Sequence, residues 1–170
     1  MRIWLERTKF GKTLQGAGPQ EDFMKLLFLV SFPLLLAGSA VQAKNTHSKL
    51  KWMDGPASLP SGVQMAVVSG DPGKKGMFTI QLKMPADYAV PPHSHPTNEV
   101  VKVLTGKLHY GMSRKMNMSA AKTLAAGHTV NMKAKMSHWV HAPAPATVQV
   151  SGMGPFQITY VDTKDDPRKK

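Results

Sequence analysis

The stretch Pro91-Pro92-His93-Ser94-His95-Pro96-Thr97-Asn98-Glu99 decides how this chain is read. Side chains alternate faces along an extended backbone, so His93 and His95 point to one side. Glu99, at another even step, returns to that side past the bend at Pro96. Two imidazoles and a carboxylate then converge where an apolar run begins, Glu99 to Leu104 (EVVKVL). His138 opens a later run, and an antiparallel barrel can bring it opposite the first three. Imidazole with carboxylate and no sulfur suits a divalent first-row metal with positions left for water or substrate. These donors do not choose among Fe, Mn, Ni, Cu and Zn, so the expected cofactor is a divalent metal ion of open identity.

The rest of the chain agrees with a metal held on His and carboxylate. It contains no cysteine in 170 residues, which removes disulfides, thiolate nucleophiles and sulfur-ligated zinc. With 42% apolar residues it has the material for one ordinary core. The 127 residues from Lys44 onward carry 10 Gly and 11 Pro, spaced between short runs rich in Val, Met, Thr and aromatics, the pattern of an all-β sandwich or barrel.

Strands are expected at Val63 to Ser69, Met77 to Met84, Glu99 to Leu104, Lys107 to Met112, Thr129 to Met132, Ser137 to His141, Thr147 to Ser151 and Phe156 to Val161. Thr105-Gly106 reads as a hairpin turn joining the third and fourth, with Leu108, Tyr110 and Met112 inward. Only Ser119 to Ala126 (SAAKTLAA) has helical composition. Eight or nine short strands suit a jelly-roll barrel, and residues 44–50 and 163–170 read as polar, solvated tails.

Leu26 to Gly38 is an uncharged run of 13 residues interrupted by Pro33, preceded by Lys25 and followed by Val41-Gln42-Ala43. A spanning helix needs about 20 apolar residues, so a cleavable signal peptide cut before Lys44 is expected, with no stable membrane anchor. A start at Met24 would give that signal ordinary length. Residues 1–43 are thus read as an N-terminal extension and signal peptide, and residues 44–170 as a single domain in a periplasmic or secreted protein.

Lys and Arg outnumber Asp and Glu by 22 to 10 overall, and by 17 to 7 after Ala43. The bases fall in pairs such as Lys74-Lys75 and Arg114-Lys115 without interleaved aromatics, so no nucleic-acid partner is expected. A small and acidic molecule is the partner such a surface favours, with Lys133 and Lys135 near the barrel mouth.

At this point the sequence resembles a small single-domain cupin. The first cupin motif runs Gly, five residues, His-x-His, three or four residues, Glu, six residues, Gly. His93, His95, Glu99 and Gly106 match it, while Asp87 stands at the leading Gly. In the second motif Gly127 and His138 match, but Lys133, Lys135 and Ala142 replace Pro, Gly and Asn. The segments WMDGPASLPSG, SGDPGKKGMF and PPHSHPTNE, the GPF that begins at Gly154 and the closing DDPR are similar to a group of exported bacterial cupins. The resemblance implies a cupin jelly-roll barrel, a metal on His93, His95, Glu99 and His138, and pairing as a homodimer.

Cupins include enzymes and binders, so three roles stay open: a metal-dependent oxidoreductase or dioxygenase, a non-catalytic metal or small-ligand binding or sensing module, and a structural metal. Tyr110 reads as a core tyrosine, His128 as a solvated rim residue, and His109 and His141 as outward or off-site by parity. Met112, Met116, Met118, Met132 and Met136 raise the thought of copper, but Met filling irregular core gaps is the simpler reading.

Overall fold

The computed structural model describes residues 49–170, so the expected signal peptide and the start at Met24 lie outside the described residues. Within them the short apolar runs become strands: β1 (Met53–Asp54), β2 (Gln64–Ser69), β3 (Gly76–Met84), β4 (Tyr88–Ser94), β5 (Glu99–Thr105), β6 (Lys107–Gly111), β7 (Lys122–Ala125), β8 (Thr129–Met132), β9 (His138–Ala142), β10 (Ala146–Gly154) and β11 (Thr159–Tyr160). They form a six-stranded sheet in the order β1-β2-β3-β10-β5-β8 and a five-stranded sheet in the order β11-β4-β9-β6-β7. Every pairing is antiparallel.

Alternation sets what each strand buries. Phe78, Ile80, Leu82 and Met84 of β3 all point into the core. Register then builds rows across the larger sheet: Ile80 lies opposite Val150, which lies opposite Val101, and Leu82 opposite Val148, which lies opposite Val103. Val90, Leu108, Val140 and Ala142 of the other sheet close on the same core. Each of these side chains larger than alanine contributes about 1.5–3 kcal/mol by leaving water, which is what holds the sheets together.

Several expectations need correction. β5 and β6 do not pair as a hairpin; they belong to different sheets. Thr105 is the last residue of β5, so Gly106 alone separates the strands, too little for a two-residue hairpin turn. Instead Gly106, at φ 76°, carries the chain round a corner between sheets. The helical composition of Ser119 to Ala126 is overridden as well. Met118–Ala120 is a 3-10 turn, and β7 follows, because pairing with β6 sets Leu124 opposite Leu108 and buries both.

Met112, Met116, Met118 and Met136 are exposed and do not fill core gaps; of that group only Met132 is buried. The final residues are not a free tail. They form two 3-10 turns, with Asp166 buried against the Arg168 guanidinium, which also donates to the Ile158 carbonyl at 3.1 Å.

Two departures from the glycines of the motif turn out to keep glycine's conformation. Asp87 has φ 58° and Lys135 φ 64°, both in the left-handed region. The turn before His138 therefore forms despite the lysine, and a 2.7 Å bond from the Lys135 amide to the His95 carbonyl ties it to the first motif. Holding Lys135 there costs energy that glycine would spare, partly offset by glycine's freer unfolded chain. Lys135→Gly is expected to raise unfolding stability by about 0.5–1 kcal/mol, measured by urea denaturation; a loss of stability would contradict this.

Candidate metal centre

His93 sits near the end of β4, His95 just beyond it, Glu99 at the start of β5 and His138 at the start of β9. Pro91 and Pro92 disturb the β4–β9 ladder, since proline has no amide to donate, and the register shifts between Val90 and His93. Beyond that irregularity His93 lies directly opposite His138, their ring centres 4.3 Å apart. The Asn98 side chain accepts the Ala134 amide at 2.9 Å, a second tie between the segments that carry the ligand candidates.

The three imidazoles converge in the barrel, each with a ligand nitrogen within 4.8 Å of the others. All are buried, His138 at 1% exposure, and Glu99 is buried beside them. Glu99 Oε2 lies 3.4 Å from Nε2 of both His95 and His138. The structure thus brings together all four residues singled out in the sequence.

Hydrogen bonding decides which nitrogen faces inward as a bare donor. Nδ1 of His93 donates to the Pro91 carbonyl at 2.7 Å, Nδ1 of His95 to the Gln157 carbonyl at 2.7 Å, and Nδ1 of His138 to the Met136 carbonyl at 3.1 Å. A carbonyl only accepts, so in the neutral ring the proton sits on Nδ1 and Nε2 presents a lone pair. Nε2 of His95 and of His138 are buried without a hydrogen-bond partner. Lone pairs and a carboxylate facing one another repel unless a cation stands between them, and carbonyl-anchored imidazoles are how proteins orient metal ligands. The residues present fit a divalent metal.

Electrostatics agree. Burial, reinforced by the His138 and His95 rings, pushes His93 down to about 3, so it is neutral and ready to bind at ordinary pH. Burial pushes the Glu99 carboxyl up, but in the metal-free site an N–H or positive charge on the imidazoles, His138 foremost, outweighs it and holds Glu99 below the usual range, the role a cation takes over where Nε2 is bare. The unfolded chain takes up a proton at His93 near 6.5, whereas the folded site refuses it until about pH 3. Unfolding therefore gains protons as the pH falls, and this part of the stability is complete above 6.5 and declines toward 3. Metal-free protein is expected to lose about 1–2 kcal/mol between pH 7 and pH 5 in chemical denaturation; equal stability at both would contradict this.

Around the site, a small cavity of about 30 Å³ is lined by the four polar residues and by apolar side chains such as Val101, Val150, Phe156 and Ile158. That admits a guest of roughly one or two water molecules. The sequence reading missed Phe156, whose ring stacks on His95 at 5.1 Å and 18°, and Tyr160, 5.9 Å from His93. Only the inward parity of an aromatic in a short strand could have marked them. Tyr110 packs on the core away from the cavity, His128 is exposed, and Lys133 and Lys135 are exposed in the turn before His138. His109 and His141 face outward, as parity predicts, since Tyr110 and Val140 are their inward neighbours.

No protein-family model matches the sequence, and no curated protein matches it. Solved structures do. One is a protein provisionally named an acetylacetone dioxygenase from Methylibium petroleiphilum PM1, 20% identical, with 69% of this chain and 79% of that one covered at a TM-score of 0.54. Another is an RmlC-like cupin from Shewanella frigidimarina NCIMB 400, 12% identical, with 63% and 86% covered at 0.50.

Proposed function

We propose that this chain, a small cupin by its fold, is an exported metal-dependent oxidoreductase of the dioxygenase type that acts on a small molecule. The observation that carries the reading is the set of inward Nε2 donors of His93, His95 and His138, each with its Nδ1 proton given to a backbone carbonyl, facing the Glu99 carboxylate. These four residues would hold the ion. A divalent cation there supplies Lewis acidity and, where the metal is redox-active, electron transfer. Glu99 contributes a carboxylate that can take a proton from a substrate beside it, while the apolar wall of Val101, Val150 and Ile158 excludes bulk water. The signal-like segment Leu26 to Gly38 supports the exported part of this reading.

A second reading, in which the ion is held without chemistry, is favoured by the size of the cavity: about 30 Å³ leaves room beside four ligands for little more than water. One experiment separates the two. Metal content is measured on protein purified from its native compartment, and oxygen-dependent turnover is then assayed on phenolics, keto acids and sugars. The enzyme reading expects a redox-active metal and turnover that falls roughly tenfold or more in Glu99→Gln. Zinc with no turnover on any of these would overturn it in favour of the binding module.

A further inference from the structure

Among the described residues, four buried side-chain nitrogen or oxygen atoms lack a hydrogen-bond partner: Nε2 of His95, Nε2 of His138, Nδ1 of His109 and Nδ1 of His141. Buried polar atoms are nearly always satisfied, so each orphan calls for an ion or a water. The first two belong to the centre inside the barrel. The other two belong to a pair on the opposite face of the same sheet, where β6 and β9 set His109 directly across from His141 with ring centres 5.9 Å apart.

A carboxylate stands behind this pair. Asp87 Oδ1 is 3.8 Å from His141 Nε2. At 3.8 Å this is a charge contact beyond hydrogen-bond length; the negative charge beside Nε2 favours the proton there and leaves Nδ1 as the bare lone pair, the sense in which a carboxylate orients a metal-binding imidazole. Asp87 holds this place at φ 58°, in a backbone conformation that glycine would adopt at less cost.

We infer that His109 and His141 form a second divalent-cation site on the outer face of the five-stranded sheet, with their Nδ1 atoms as ligands, water completing the coordination and Asp87 positioning His141. The ligand class is a borderline first-row cation such as zinc, nickel or copper, because imidazole suits these better than calcium or magnesium. The His141 side chain is 19% exposed while both Nδ1 atoms are buried, so the site lies just beneath the surface of the sheet, apart from the centre in the barrel. Neither histidine lines the internal cavity, so the inference does not depend on the proposed activity.

The test is the zinc stoichiometry of the full chain by equilibrium dialysis at saturating zinc chloride. Wild type is expected to bind one zinc more than His141→Ala and one more than His109→Ala, with His128→Ala, at an exposed histidine elsewhere, matching wild type. Because the readout is a difference between chains, it holds whether or not the internal centre takes zinc. Asp87→Asn is expected to keep the extra zinc but weaken it about tenfold. Far-ultraviolet circular dichroism checks folding, and His141→Gln replaces His141→Ala should the latter fail to fold. Equal zinc counts in wild type and the folded His141 variant overturn the site, and unchanged affinity in Asp87→Asn overturns the role of Asp87.

Discussion

A His138→Ala chain is expected to lose divalent-metal affinity by about a hundredfold or more, measured by competition with a chromophoric chelator. His138 is the most enclosed of the donors, at 1% exposure. Its ring is the cross-strand partner of His93 and lies 3.4 Å from Glu99, so its removal opens the centre on the side where two other donors meet it. Losing one outer-shell hydrogen bond to a metal ligand typically costs 10–100-fold in affinity, and losing the ligand itself should cost at least the upper value. The wild-type protein should also melt at a higher temperature with metal than without, since a ligand that binds only the folded state stabilises it. The variant should show little of that gain. Equal metal affinity in the two chains would remove His138 from the centre.

Gly106→Ala should destabilise the fold by about 3–5 kcal/mol, combining left-handed backbone cost with overpacking. Gly106 has φ 76°, and an added Cβ would lie 2.6 Å from the Pro145 carbonyl oxygen and 3.0 Å from Ala146 Cα. Both obstacles are backbone, so a side-chain rotation cannot relieve them. The corner at Gly106 is also where the chain leaves the strand that begins at Glu99, so strain there should reach the ligand cluster through β5. Urea denaturation of the metal-free variant gives the measurement, and a cost below about 1 kcal/mol would show that the corner can relax.

How much of this was legible beforehand depends on which physical signal each feature left. Strict alternation in Met77 to Met84 located β3, and parity alone put His93, His95 and Glu99 on one side. The spacing of the second motif drew attention to His138, and the residue is where the spacing implied.

Tertiary context governs what was missed. β4 contains Pro91-Pro92 and was not among the expected strands, yet it pairs on either side of a register shift. β7 is built from Lys, Thr, Leu and Ala, of which all but Thr favour helix on their own, and becomes strand because β6 offers an edge and a place for Leu124. The exposed methionines violate the expectation that large apolar residues lie within. The acceptors that fix the three imidazoles are main-chain carbonyls of Pro91, Met136 and Gln157, and no side-chain pattern announces those. His109 and His141 were legible as outward residues but not as opposite one another, because register depends on which strands become neighbours.

Crystals of the protein purified with its native metal, with anomalous diffraction recorded at that metal's absorption edge, test the central claim most directly. The account predicts a peak inside the barrel about 2.0–2.2 Å from Nε2 of His93, His95 and His138, with a Glu99 carboxylate oxygen in the same shell. Strong density for the four side chains with no anomalous peak among them, from protein kept at neutral pH and free of chelator, would contradict it.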